Sequence, residues 1–135
     1  MNPDFIAGVS VPTQPPAQFA AAIGARIIPD EWQTAGGRVV YLGECRTDTR
    51  EIRLNTWAIR HVAAAARQAF APAEQEWAGE QRITEVVLAH ELFHILHGGA
   101  GPRAENAAHA FVAAWLRMPF SPARYQLLLQ IPEPR

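Results

Sequence analysis

The chain has 135 residues, with 12 basic against 13 acidic side chains and a formal net charge of −1. That length suits one compact domain rather than two, and the charge balance gives no reason to expect a protein that binds polyanions, so no direct nucleic-acid binding is expected. Hydrophobic residues make up 49% and Cys45 is the single cysteine, so a core can form without disulfides and a cysteine-rich metal site is excluded.

Residues 1–16 contain Pro3, Pro12, Pro15 and Pro16 and read as a flexible, extended arm ahead of a single domain over 17–135. They have neither the basic start nor the apolar run of a signal peptide. No apolar stretch approaches the roughly 20 residues of a membrane span. A cytoplasmic protein without a membrane partner is expected. All basic residues are arginine, which fits the coding bias of a high-GC bacterial or phage genome.

Residues 17–25 form a short helix ending near Gly24. Residues 26–32 are a short strand that Pro29 pushes to an edge. After a turn at 34–37, residues 38–45 are a second strand by their β-branched and aromatic content. Residues 47–50 turn the chain into a third strand, 51–55, whose alternation gives it one wet face. These three make a small antiparallel sheet. Residues 57–70 are a backing helix stopped by Pro72, followed by a polar connection. A helix over 83–97 has Thr84 or a nearby residue as its cap and ends at Gly98-Gly99. A loop at 100–103 leads to a helix over 104–117, stopped by Pro119, and 125–131 add a last helical turn or two. The class is α+β.

The helix over 83–97 contains "HELFH", His90 to His94, an H-E-x-x-H pattern. At about 100° per residue, His90 and His94 lie one turn apart on one helical face. Two imidazoles so placed can hold one metal ion at Zn–N distances of about 2.0–2.1 Å. Glu91, one residue on, is turned away from the ligand axis and can act as general base toward a water whose pKa the metal lowers to about 7. The rest of the helix, Val86, Val87, Leu88, Leu92, Phe93, Ile95 and Leu96, is apolar nearly all round, so it is buried. Buried imidazoles and a carboxylate need partners. Hydrogen bonds within a core are one answer; a metal ion is the more economical one.

A catalytic zinc needs a third protein ligand and one open position, whereas a structural one has four protein ligands. Glu105 and His109 follow, four residues apart on one face of the next helix; spacing leaves either as ligand, and both together would close the site. His97 shares the face of His90 and His94 and is a further alternative ligand or orienting partner, though a histidine in a last helical turn is also favoured by the helix dipole.

"LAHELFHILHGG", followed by "ENAAHAFV" and then "MP", resembles the ImmA/IrrE-type zinc metallopeptidases, with a looser likeness upstream through "RII" and "IRLN". The resemblance covers about residues 18–120 and is specific in the second half. It implies a zincin-like fold, Zn2+ bound by His90, His94 and Glu105, and Glu91 as catalytic base. It also implies proteolysis of a protein substrate, commonly a transcriptional repressor, so that a separately encoded helix-turn-helix regulator is the expected partner. His109 falls where that family has Asn or Asp, a position suited to orienting a ligand imidazole. Phe93 replaces a common Gly, and the stretch from Phe111 to Pro119 is one residue longer. The length leaves no room for the additional DNA-binding or sensor domain often found in the family. Small relatives of peptidases can also act by binding a regulator without cutting it.

Several residues are candidates for stabilising an oxyanion: His61, Tyr41, Tyr125, Arg60, Arg103 and His109. The sequence does not choose among them. Arg60 and Arg67, seven apart, read as one solvated face. Cys45 reads as a small core residue with no base beside it.

Overall fold

The helix that carries the histidines is the centre of the fold. The structure, a computed structural model, describes residues 11–31 and 41–129. In chain order they form α1 (Pro16–Ala22), β1 (Arg26–Asp30), β2 (Gly43–Arg46), β3 (Glu51–Asn55), α2 (Thr56–Ala69), a 3-10 helix (Pro72–Trp77), α3 (Glu80–His97), α4 (Pro102–Leu116) and α5 (Ala123–Leu129). The class is α+β, as the alternation of patterns implies.

The sheet corrects one expectation. It is mixed rather than antiparallel, in the order β1-β3-β2. β2 pairs antiparallel with β3, Cys45 opposite Ile52, but β1 runs parallel to β3, Arg26 opposite Glu51 and Asp30 opposite Asn55. Alternation identifies a strand without naming its partner. Here β3 takes the middle because its Ile52 and Leu54 are both buried, while Pro29, with no N–H to give, suits β1 to an edge. Arg53 bridges the three strands on the wet face, binding Asp30 of β1 and Glu44 of β2. The expected turn at 34–37 and the first three residues, 38–40, of the expected strand at 38–45 lie outside the described residues; the second strand starts at Gly43.

α2 follows β3 without a loop because Asn55 caps it. Its Oδ1 accepts from the Ala58 N–H (3.2 Å), its Nδ2 donates to the Tyr41 carbonyl (2.9 Å), and its own N–H donates to the Leu42 carbonyl (2.9 Å). One fully buried side chain therefore fixes the helix start and the approach to β2 together. The expected polar connection contains the 3-10 helix, with Trp77 buried at its end.

α3 starts at Glu80, three residues before the expected boundary, with no side-chain cap. Thr84 is inside it, its hydroxyl donating back to the Glu80 carbonyl (2.7 Å), a bond that competes with capping. α3 packs against α1, α2, α4, β2 and β3, so its apolar residues face the core in several directions. It stops at Gly98, whose φ of +65° is left-handed and costs glycine little. Pro102 then opens α4, where a missing N–H is harmless. This short break brings α4 against α3.

α5 closes the core. The Tyr125 hydroxyl donates to the Trp77 carbonyl (2.6 Å), and Arg124 lies over the rings of Phe70 and Phe120 while pairing with Glu74 (2.8 Å). At the other end, Trp115 Nε1 donates to the Gln14 carbonyl (2.9 Å), and Pro16, the first residue of α1, is buried. Among the described residues no helix is long and apolar enough to cross a membrane.

Candidate metal centre

Successive turns of α3 bring His90 and His94 to one side, their Nε2 atoms 3.2 Å apart. α4, packed against α3, presents Glu105 from its first turn. Glu105 Oε2 lies 2.9 Å from His90 Nε2 and 3.4 Å from His94 Nε2. Three donors bound tetrahedrally to one zinc ion at 2.0–2.1 Å stand about 3.3–3.4 Å apart. The triangle found here has that size within a few tenths of an ångström. Two ring nitrogens facing each other at this distance aim lone pairs at one point unless one is protonated, and a cation at that point satisfies both together with the carboxylate. The donor set, two imidazoles and one carboxylate, is one that zinc takes.

The electrostatics agree with this geometry. Hydrogen bonding to His90, reinforced by the nearby His94, holds the Glu105 carboxyl down to about 2, so it is ionised throughout the physiological range. The imidazoles are largely sheltered, with 17% of the His90 and 13% of the His94 side chain exposed, whereas Glu105 is half exposed (49%).

Glu91 is one of two buried polar residues in the described core, only 8% exposed. Burial pushes its carboxyl above the usual range, against the opposing pull of His90, His94 and a hydrogen bond from the Cys45 thiol. It lines, with the three donors, a cleft of about 590 Å3. The opposite wall is β2 and its approach, Tyr41 to Glu44, and Pro122, Tyr125 and Gln126 close one end. β2 reaches this close to α3 because residue 43 is glycine: a Cβ there would stand 2.7 Å from Val87 Cγ1 and 3.5 Å from Glu91 Cγ.

His109 also lines the cleft. Its ring centroid is 5.0 Å from that of His90, and one of its ring nitrogens lies within 4.8 Å of the donor atoms of both His90 and Glu105. Its Nδ1 is buried and has no hydrogen-bond partner. Burial, with His90 close by, lowers its pKa, which favours the neutral ring a metal can use. His97 is elsewhere: it is exposed and lies against the rings of Phe93 (4.8 Å) and Phe111 (6.0 Å) at the end of α3.

The oxyanion candidates separate in the same way. Arg60 pairs with Glu31 (3.1 Å), His61 stacks on Trp57 (5.4 Å), and Arg103 is exposed on the first turn of α4. Tyr125 reaches the cleft but its hydroxyl is committed to Trp77. Tyr41, 62% exposed, and His109 remain on the cleft wall. Two cleft residues, Gly43 and Gln126, and Cys45, whose thiol feels the Glu91 carboxylate, escaped sequence reasoning. The alternation of strand positions 43 and 45 was the signal available for Gly43 and Cys45, since it puts both on one face.

Compared with family models, curated proteins and solved structures, the chain gives no significant match.

Proposed function

We propose that the protein is a zinc metallopeptidase of the ImmA/IrrE type, with His90, His94 and Glu105 as the metal's ligands and Glu91 as general base. The reading rests above all on one observation: the three donor atoms converge within 2.9–3.4 Å beside a buried carboxylate in an open cleft. A hydrogen bond accounts for one such pair at a time, whereas a single cation accounts for all three donors together.

When bound there, zinc supplies the Lewis acidity that polarises a carbonyl and makes water acidic near neutral pH. The chain's own residues do the rest. Glu91, made more basic by burial, takes a proton from the attacking water as its oxygen adds to the scissile carbonyl carbon. The same carboxyl then delivers that proton to the departing amine nitrogen as the C–N bond breaks, leaving a carboxylic acid and an amine. Tyr41 and His109 face the cleft and are the candidates to donate to the developing oxyanion.

An extended peptide suits the cleft. β2 is an edge strand, paired among the described residues only with β3, and Gly43 and Glu44 line the wall. Free main-chain groups at such an edge bind an added strand. The resemblance adds a class of substrate, a separately encoded helix-turn-helix regulator in the same, cytoplasmic, compartment; that step is analogy between families rather than geometry.

Metal content and cleavage of an internally quenched peptide library test the reading together. Wild type is expected to hold one zinc per chain and to cut, and Glu91→Gln to hold the same zinc while cutting about 10²- to 10⁴-fold more slowly. Absence of metal, or equal cleavage by both, would overturn it. A Glu91→Gln variant that keeps both its binding to a regulator and the biological effect of that binding would instead mark a scaffold that works by binding.

A further inference from the structure

We infer that His109 is a fourth protein ligand to the metal in the resting protein, so that the centre is closed by His90, His94, Glu105 and His109 until His109 withdraws. The inference rests on the metal-binding part of the preceding reading and departs from the role the resemblance gives this position.

Two facing helices each contribute an i, i+4 pair. α3 gives His90 and His94; α4 gives Glu105 and His109. Residues four apart share a helical face, and the donors of His90, His94 and Glu105 stand within 3.4 Å of one another in the gap between the helices. The His109 ring has come to that gap: one of its nitrogens lies within 4.8 Å of the donor atoms of His90 and Glu105, and its centroid is 5.0 Å from that of His90.

The Asn or Asp of the resembled family at this position suits a different task, accepting a hydrogen bond that orients a ligand imidazole. His109 is not engaged in that way through Nδ1, which is buried and has no partner. A buried, unpaired ring nitrogen carries a desolvation cost of about 1–3 kcal/mol, and coordination is one way to relieve it. Four protein ligands fill a tetrahedral zinc, leaving no open position. A peptidase so built is restrained by its own α4, and substrate entry must displace one imidazole.

The donor count decides the matter without any assay of activity. The zinc-loaded full chain is measured by zinc K-edge absorption in solution and by crystallography, beside His109→Ala and His109→Asn. Three imidazoles in wild type and two in each variant are expected. Zinc affinity should fall in both variants, with Asn giving no recovery over Ala. Two imidazoles in wild type overturn the inference and leave the three-donor centre intact. So does full recovery of affinity by His109→Asn, which marks an orienting hydrogen bond. A wild type that takes up no zinc overturns both this inference and the reading beneath it.

Discussion

Cys45 is the residue whose neighbourhood changes its meaning. On β2 it lies on the side facing α3, close enough for the Glu91 carboxylate to act on its thiol. Burial, and next the negative charge of Glu91, push the thiol from an ordinary 9.0 up to about 12. Because only the thiolate attacks alkylating reagents, and a raised pKa lowers the thiolate fraction at any pH below it, Cys45 should react slowly with iodoacetamide at pH 8. Its rate should keep climbing past pH 10 instead of levelling near 9. Removing the charge with Glu91→Gln should speed alkylation at pH 8 by up to about tenfold, one pKa unit being a factor of ten in thiolate. A rate that levels near pH 9 in wild type, or one untouched by the substitution, would show that the thiol and the carboxylate do not meet. The pairing was out of reach of the sequence. His90, Glu91 and His94 are legible because their spacing matches the turn of one helix, and Glu105 and His109 follow from the same rule on the next. Cys45 and Glu91 are 46 positions apart, and nothing local says which helix a strand faces.

Gly43 is where one element meets another. The strand β2 lies against α3 at a distance that only a hydrogen side chain allows, with the space for a Cβ blocked at 2.7 Å by Val87 Cγ1 and at 3.2 Å by the Arg53 carbonyl. Val87 is buried and cannot swing into solvent. Gly43→Ala should therefore destabilise the fold by about 1–3 kcal/mol, the usual range for overpacking, and should shift β2 away from Glu91. Val87→Ala makes room, so the double variant should lose less than the sum of the two single losses; urea denaturation of the four proteins measures the coupling, and strictly additive losses would refute the contact. Elements on the scale of a helix were readable to within a few residues because caps and breakers mark their ends: Pro16 and Pro102 open helices and Gly98 closes one. The sheet was not. The patterns of β1 and β3 give strands, but their parallel pairing depends on the path the chain takes between them, and no local signal carries that path.

The fold as a unit joins α3 and α4 through polar groups as well as apolar ones, and a bound ion would make that joint part of its stability. Phe111 and Val112 of α4 and Leu92 of α3 are buried in the common core, so the two helices pack without metal. At the open end of the same interface, however, His90, His94 and Glu105 converge, and an ion held by both helices binds the native arrangement alone. Such a ligand stabilises by RT ln(1 + [L]/Kd), about 2.7 kcal/mol at a hundredfold excess over Kd. For a domain of this size that corresponds to a rise in Tm of roughly 10 °C. Chelation should return Tm to its starting value. The gain should fade on acidification, because protons compete with zinc for its ligands. Glu105, held ionised down to about 2 by His90, is not the group that limits it. Differential scanning calorimetry across pH, on wild type, Glu105→Ala and Glu91→Gln, separates a specific centre from loose association. Glu91→Gln should keep the zinc-dependent rise and Glu105→Ala should lose most of it. An equal rise in all three proteins would mean that zinc binds somewhere other than between these helices.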